Sequence, residues 1–149
     1  MRTSIRFAPT KTFSCSEGGG GGIYNPQKTA GKPYHALNRA GTTNYHGFNP
    51  TPTINSSGLR FPRSVVHIAT IERGLHPTQK PVALFEYLIR TYTNPGAVVL
   101  DNCIGSGTTA IACINSGRHF IGFDKDKSYC EIARERIRKH VLSRTAKAA

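Results

Sequence analysis

Two acidic residues and two glycines are the residues of this chain best suited to hold a small-molecule cofactor. Asp101 ends an apolar run, and Gly105 and Gly107 follow it in a turn that leads into a predicted helix. Glycine lets the backbone approach a ligand closely, and the start of a helix offers free N–H groups. Asp124 ends the next apolar run, about 20 residues after the glycines, as expected for a ribose-binding carboxylate. The pattern therefore predicts a nucleotide-type cofactor site.

The glycine turn also fits the dinucleotide pattern G-x-G-x-x-G/A, over residues 105–110. That match is weak by itself, because many glycine turns between a strand and a helix bind no ligand. Asp101 before the turn and Asp124 after it favour a ligand over a turn-forming role. An acid at the strand end suits a ligand with an ammonium group better than a pyrophosphate. An NAD-dependent oxidoreductase is therefore the disfavoured alternative.

Apolar periodicity and capping residues place these side chains on alternating strands and helices. The predicted helices begin at Pro81, at Thr108 and after the N-cap Asp126, and Gly117 closes the second of them. Predicted strands span residues 64–71, 97–100 and 119–123. A strand–helix–strand–helix order indicates a parallel sheet with right-handed crossovers. The sequence therefore predicts an α/β fold with part of a doubly wound parallel sheet, since few strands are present.

Charge and composition narrow the classes of partner. The 149 residues carry a net charge of +12, with 20 Lys and Arg against 8 Asp and Glu. This balance favours a polyanion such as DNA, and the alternative is a merely basic protein. No apolar run approaches the ~18 residues of a membrane span. The four cysteines form no C-x-x-C pair. We therefore expect no membrane and no metal, in a reducing cytoplasm.

The chain divides by composition into three segments. Residues 1–22 are predicted to be an irregular Gly-rich segment, residues 23–63 a loop-rich region, and residues 64–149 the cofactor-binding part. Basic and aromatic residues alternate in the middle segment, as in loops that follow phosphates and stack on bases. Its predicted DNA-binding residues are Lys28, Lys32, Arg39, Arg60 and Arg63. The alternative is an ordinary polar loop region.

The order of three motifs resembles the DNA amino-methyltransferases. These motifs are His76-Pro77-Thr78-Gln79-Lys80-Pro81, residues 101–109, and Gly122-Phe123-Asp124-Lys125-Asp126. The family transfers a methyl group from S-adenosyl-L-methionine to adenine N6 or cytosine N4. The resemblance is strong over residues 64–138, in the permuted group whose catalytic region precedes the cofactor region. A weaker similarity of residues 24–34 to adenine-specific phage and bacterial enzymes favours adenine.

The resemblance implies a Rossmann-like methyltransferase fold, a restriction–modification or prophage setting, and roles for individual residues. Asp101 would bind the methionine ammonium, directly or through water, the glycine turn would pass under the methionine, and Asp124 would accept both ribose hydroxyls. Capping and turn formation are the alternative roles. His76 is interpreted as structural, and Arg136 as part of a solvated helix face. The predicted cofactor-binding residues are Asp101, Cys103, Gly105, Gly107, Thr108, Thr109, Phe123, Asp124, Thr78 and Lys80.

The sequence departs from the family pattern in two places. The catalytic tetrapeptide, Asn, Asp or Ser followed by Pro-Pro and an aromatic residue, is absent, so no catalytic residue is predicted. The chain therefore resembles a carboxyl-terminal portion that is inactive alone and whose candidate partner is an amino-terminal fragment carrying that motif. The alternative is a non-catalytic remnant that binds cofactor or DNA. Cys103 stands where the family has an aromatic residue, which leaves less surface to cover the cofactor.

Overall fold

Strands and helices alternate along the second half of the chain. The computed structural model describes residues 2–6, 22–37, 52–69, 76 and 78–148. The elements are β1 Arg2–Arg6, β2 Tyr34–Leu37, β3 Pro52–Asn55, β4 Val65–Ala69, α1 Val82–Tyr92, β5 Val98–Asp101, α2 Thr108–Ser116, β6 His119–Gly122 and α3 Lys127–Ala148. They fall into two units, one of Met1–Asn25 with Ser64–Ala149 and one of Pro26–Arg63.

Strands β5 and β6 form a parallel pair, in register from Val98 opposite His119 to Asp101 opposite Gly122. Helix α2 makes the crossover between them, and α1 packs against α2. This strand–helix–strand unit confirms the predicted α/β fold with parallel strands. The sheet is partial, because among the described residues it holds two strands.

The apolar core lies on one face of the parallel pair. Ile89 of α1 and Ala112 and Cys113 of α2 are buried there, and Val99 and Phe120 of the strands pack against them. Side chains alternate along a strand, so the intervening residues point to the opposite face. On that face Val98, Leu100 and Ile121 are 60%, 67% and 49% exposed. One face of the pair is therefore covered by helices and the other is open.

Helix boundaries follow the capping residues predicted from the sequence. Pro81 is extended (φ −61°, ψ 138°) and precedes the first residue of α1. Gly117 adopts a left-handed conformation with φ of 70° and ends α2. Asp126 Oδ1 accepts hydrogen bonds from the Ser128 backbone N–H at 2.8 Å and from the Ser128 hydroxyl at 2.7 Å. These observations confirm the predicted start of α3 and the predicted end of α2, and they place the start of α1 one residue after the predicted position.

Residues 2–6 correct one prediction. They form strand β1, antiparallel to β4 with Arg2 opposite Ala69 and Arg6 opposite Val65, although an irregular segment was predicted here. The hydrogen-bond partners of this short strand lie more than 50 residues away, so the local sequence carries little signal for it. Residues 7–21 and 70–71 lie outside the described residues.

The second half of α3 is held to α2 by polar side chains. His140 Nε2 lies 2.7 Å from Asn115 Oδ1, and Arg144 Nη1 donates to that same oxygen at 3.0 Å. Asn115 Nδ2 in turn donates to Glu86 Oε1 of α1 at 2.6 Å. Of residues 138–147, all are exposed except His140, which is partly buried. This part of α3 is therefore attached mainly by hydrogen bonds.

The Pro26–Arg63 unit contains an antiparallel pair of strands. Tyr34 of β2 lies opposite Asn55 of β3. The Arg60 guanidinium lies 5.0 Å from the centre of the Tyr34 ring, and its Nη2 donates to the Lys32 carbonyl at 3.2 Å. Lys28 Nζ lies 4.5 Å from the centre of the Phe61 ring. Cation–π contacts therefore place two basic side chains of this unit, those of Lys28 and Arg60, against aromatic rings.

Candidate functional site

An open cleft of about 700 Å³ lies beside the carboxyl ends of β5 and β6. Ligands of open α/β sheets bind at this edge, and the cleft volume lies in the range of small-molecule pockets. Its lining residues are His76, Thr78, Asn102, Cys103, Asp124, Lys125, Asp126, Lys127 and Tyr129. The cleft therefore combines carboxylates, ammonium groups and aromatic rings.

Asp124 connects the ends of the two parallel strands. Its Oδ2 accepts the Gly105 backbone N–H at 2.8 Å, and its Oδ1 accepts the Asp126 backbone N–H at 3.0 Å. These hydrogen bonds, that of Asp126 first and that of Gly105 second, lower the pKa of the Asp124 carboxyl group. The side chain is therefore ionised at neutral pH. A carboxylate offers about four lone-pair sites, so it retains capacity for ligand hydroxyls.

Asp101 is engaged within the protein at the end of β5. Its Oδ1 accepts the Cys103 backbone N–H at 3.0 Å, and its Oδ2 accepts the Thr109 hydroxyl. Asp101 is not among the residues that line the cleft. Asp101 therefore accepts a hydrogen bond from the buried Thr109 hydroxyl next to the turn.

The glycine turn is held in place by α3. Gly105 and Gly107 have φ of +50° and +80°, a region that L side chains adopt at a cost. A Cβ atom on Gly107 would lie 3.1 Å from the Cβ atom of Ala133. Arg136 Nη1 donates to the Thr108 hydroxyl at 3.1 Å. Arg136 is partly buried, so the prediction that it lies on a solvated helix face is wrong.

The structure separates the predicted cofactor-binding residues into three groups. Thr78, Cys103 and Asp124 line the cleft. Asp101 is partly buried next to the turn, and the buried members are Gly105, Gly107, Thr108 and Thr109. Phe123 and Lys80 are exposed and lie outside the lining. Contact of any of these residues with a cofactor stays a prediction.

Several cleft residues were not selected from the sequence. His76 and Tyr129 face each other with ring centroids 4.3 Å apart, and both line the cleft. Thr78 and His76 are also joined, through the Thr78 backbone N–H and His76 Nδ1 at 3.2 Å. His76 and Asp126 could have been selected from the sequence, because each lies two positions from a selected residue, Thr78 and Asp124 respectively. The contact between His76 and Tyr129 could not have been predicted, because these residues are far apart in the sequence.

The predicted DNA-binding residues lie in the other unit. Lys28, Lys32, Arg60 and Arg63 are exposed, and Arg39 lies outside the described residues. The Arg60 guanidinium also makes contacts inside this unit, because it packs on the Tyr34 ring and donates to the Lys32 carbonyl. Within the described part of the chain, no three His, Cys, Asp or Glu side chains are grouped to hold a metal ion. None of the helices there is long and apolar enough to cross a membrane.

A family model and curated proteins both match this chain to methyltransferases. A family model described as DNA methylase (N6_N4_Mtase) matches residues 26–135. The chain is 46% identical over 74 residues to the type II methyltransferase M.HpaI of Haemophilus parainfluenzae, covering 50% of this chain and 24% of that protein. It is 48% identical over 64 residues to the type II methyltransferase M2.DpnII of Streptococcus pneumoniae, covering 43% of this chain and 24% of that protein.

Among solved structures, the M1.HpyAVI–SAM complex is 46% identical, with a TM-score of 0.43 over 46% of this chain and 34% of that chain. The chain spans about a quarter of the length of the curated relatives it matches.

Proposed function

Since this chain belongs to the DNA methylase family, we propose that it forms the cofactor-binding part of a site-specific DNA methyltransferase. The cofactor is S-adenosyl-L-methionine, and the methyl acceptor is an exocyclic amine of DNA. The observation that carries the proposal is the junction of Asp124 with the Gly105 turn beside a cleft of about 700 Å³. A glycine turn after one strand and a carboxylate at the end of the next strand form the two halves of a nucleotide-type site.

The side chains at the cleft fit the chemistry of this cofactor. Ribose hydroxyls are donors, and the ionised Asp124 is an acceptor with free lone pairs. The His76 and Tyr129 rings offer apolar surface for the adenine. Asp101 would reach the methionine ammonium through water, because it lies at the end of β5 outside the cleft lining. When bound, the cofactor supplies the electrophilic methyl group.

Ligand selectivity tests this assignment. Calorimetric titration of the purified chain with S-adenosyl-L-methionine and, separately, with NAD⁺ compares the proposal with the disfavoured oxidoreductase. Saturable binding of S-adenosyl-L-methionine and no binding of NAD⁺ is the expected result. Preference for NAD⁺ would reject the proposed cofactor.

Methyl transfer is expected to be absent when residues 1–149 act alone. The amine of a flipped base needs hydrogen-bond acceptors and a stacking ring, and this sequence holds no Pro-Pro-aromatic tetrapeptide to supply them. Tritiated cofactor and unmethylated genomic DNA provide the assay. Protein-dependent labelling of DNA in independent preparations would contradict the expectation. Addition of an amino-terminal fragment carrying the tetrapeptide should restore labelling.

Adenine N6 is the proposed target, supported by the similarity of residues 24–34 to adenine-specific enzymes. Cytosine N4 is the second candidate within the same chemistry. Mass spectrometry of nucleosides from DNA labelled by the complemented enzyme separates the two. N6-methyladenine is expected, and N4-methylcytosine would reassign the target. A complemented chain that binds cofactor and transfers nothing would instead indicate a non-catalytic remnant.

Weak, salt-sensitive DNA binding is expected from the exposed basic residues of the Pro26–Arg63 unit. Each phosphate contact contributes about one unit to the slope of log K against log salt. The triple variant Lys28→Gln, Lys32→Gln, Arg63→Gln should therefore flatten that slope by roughly two to three units. Arg60 is left intact because its guanidinium also donates a hydrogen bond to the Lys32 carbonyl within the unit.

A variant with the same change in net charge is the matched control. Arg134→Gln, Lys139→Gln, Lys147→Gln removes three exposed charges from α3. Fluorescence anisotropy with a short duplex, measured across a salt series, gives both slopes. Equal flattening by the two triple variants would show that net charge, and not the Pro26–Arg63 unit, determines the binding.

A further inference from the structure

One partly buried guanidinium of α3 reaches the glycine turn. Arg136 Nη1 donates to the Ser106 carbonyl at 3.0 Å, to the Ser106 hydroxyl at 3.2 Å and to the Thr108 hydroxyl at 3.1 Å. Burial lowers the pKa of Arg136, yet an arginine stays protonated. Ser106 and Thr108 are only 3% and 6% exposed. A charged donor therefore binds buried oxygens that water does not reach freely.

The carboxylate nearest in sequence does not pair with this guanidinium. Glu135 binds Arg138 Nε at 2.9 Å and Lys139 Nζ at 3.4 Å. Among the ion pairs of the described residues, none includes Arg136. Its hydrogen bonds are directed to the turn, at the start of α2, where a helix dipole disfavours a cation. A cation is kept at this unfavourable place by the oxygens it binds.

Two further contacts make the turn part of a connected structure. Ala133, one helical turn before Arg136, packs against Gly107, where a Cβ atom would lie 3.1 Å from the Ala133 Cβ atom. On the other side, the Ser106 hydroxyl donates to Gln79 Oε1 at 2.7 Å. Gln79 follows Thr78, which lines the cleft. Arg136 therefore connects α3, the glycine turn and the segment beside the cleft.

We propose that Arg136 is a positioning residue that fixes the glycine turn and thereby the methionine end of the cofactor site. This inference rests on the proposed function, in which the turn lies under the methionine and Asp124 holds the ribose. Arg136 does not line the cleft, so it acts through Ser106 and Thr108. Its loss should loosen the part of the site that receives the amino-acid group and spare the part that receives the nucleoside.

Two ligands separate this role from a general loss of structure. Calorimetry on Arg136→Met is done with S-adenosyl-L-methionine and with 5′-methylthioadenosine, which lacks the amino-acid group. Affinity for the first should fall roughly tenfold, and affinity for the second should change less than about twofold. Arg134→Met, which removes an exposed charge from the same helix, is the matched control and should leave both unchanged. Arg136→Lys, which keeps the charge and loses the planar fork, should recover only part of the affinity.

Hydrogen exchange of the unliganded chain gives a second measurement that does not depend on binding. The amides of residues 106–109 should exchange faster in Arg136→Met than in Arg134→Met, while those of α1 and the Gly105 amide, which donates to Asp124, stay protected. Equal exchange in the two variants, or an equal loss of affinity for both ligands, overturns the inference. If the turn loosens as expected and the wild type binds neither ligand, the proposed function fails and the role of Arg136 in fixing the turn stands.

Discussion

Replacement of Gly107 by alanine is expected to lower the free energy of unfolding by roughly 2–4 kcal/mol. Gly107 has φ of +80°, which costs an L residue on the order of 1 kcal/mol or more. The added methyl group would also lie 3.1 Å from the Ala133 Cβ atom and 3.3 Å from its Cα atom. The backbone of α3 has to move to admit it, so a steric cost adds to the conformational one.

Gly117→Ala isolates the conformational part of this cost. Gly117 has a similar φ of +70°, and nothing lies within 4 Å of a Cβ atom placed there. Chemical denaturation of both variants should show a loss at Gly107 that exceeds the loss at Gly117 by about 1–3 kcal/mol. Equal losses of unfolding free energy in the two variants would mean that α3 shifts away from the turn without cost. The close packing of Ala133 on Gly107 would then contribute nothing to stability.

Loss of the Asp124 carboxylate should weaken S-adenosyl-L-methionine binding roughly tenfold or more. In the proposed complex the carboxylate accepts the ribose hydroxyls with charge-assisted hydrogen bonds, and alanine removes both acceptors. Asp124→Asn should do less harm because one acceptor remains. Calorimetric titration of the three proteins gives the comparison.

Two controls accompany the Asp124 variants. Asp124 also accepts the Gly105 and Asp126 backbone N–H groups, so circular dichroism must first show that each variant is folded. Glu131→Ala removes a carboxylate from an exposed position of α3 and should leave the affinity unchanged. If a folded Asp124→Ala binds as tightly as the wild type, Asp124 is only a turn residue and the ribose assignment is wrong.

The sequence predicted the elements whose signals are local. Pro81, Gly117 and Asp126 marked helix ends because capping depends on residues within one turn of the cap. The apolar runs before Asp101 and Asp124 likewise placed β5 and β6 side by side, since consecutive strands joined by a helix are parallel neighbours.

Contacts between distant segments were not predictable in the same way. Strand β1 pairs with the distant β4, and its five residues are too few for a pattern of alternating polar and apolar residues that would predict a strand. The sequence of α3 did not distinguish Arg136 from the exposed Arg134 and Arg138, and the packing of Ala133 on Gly107 brings it to the turn. The hydrogen bond from the Thr109 hydroxyl to Asp101 was likewise not visible in the sequence, and the cofactor contact of Asp101 stays a prediction.

The hydrogen-bonded attachment of α3 has a consequence for local unfolding. Detachment of the helix beyond Ile137 exposes little new apolar surface, because residues 138–147 are already exposed except for His140. The free energy of such an opening should change little with denaturant concentration, since this change scales with the surface that becomes exposed. We therefore expect fraying to begin at the carboxyl end of α3 and to proceed toward Arg136 and Ala133. The glycine turn should then lose order when the fraying reaches those two residues.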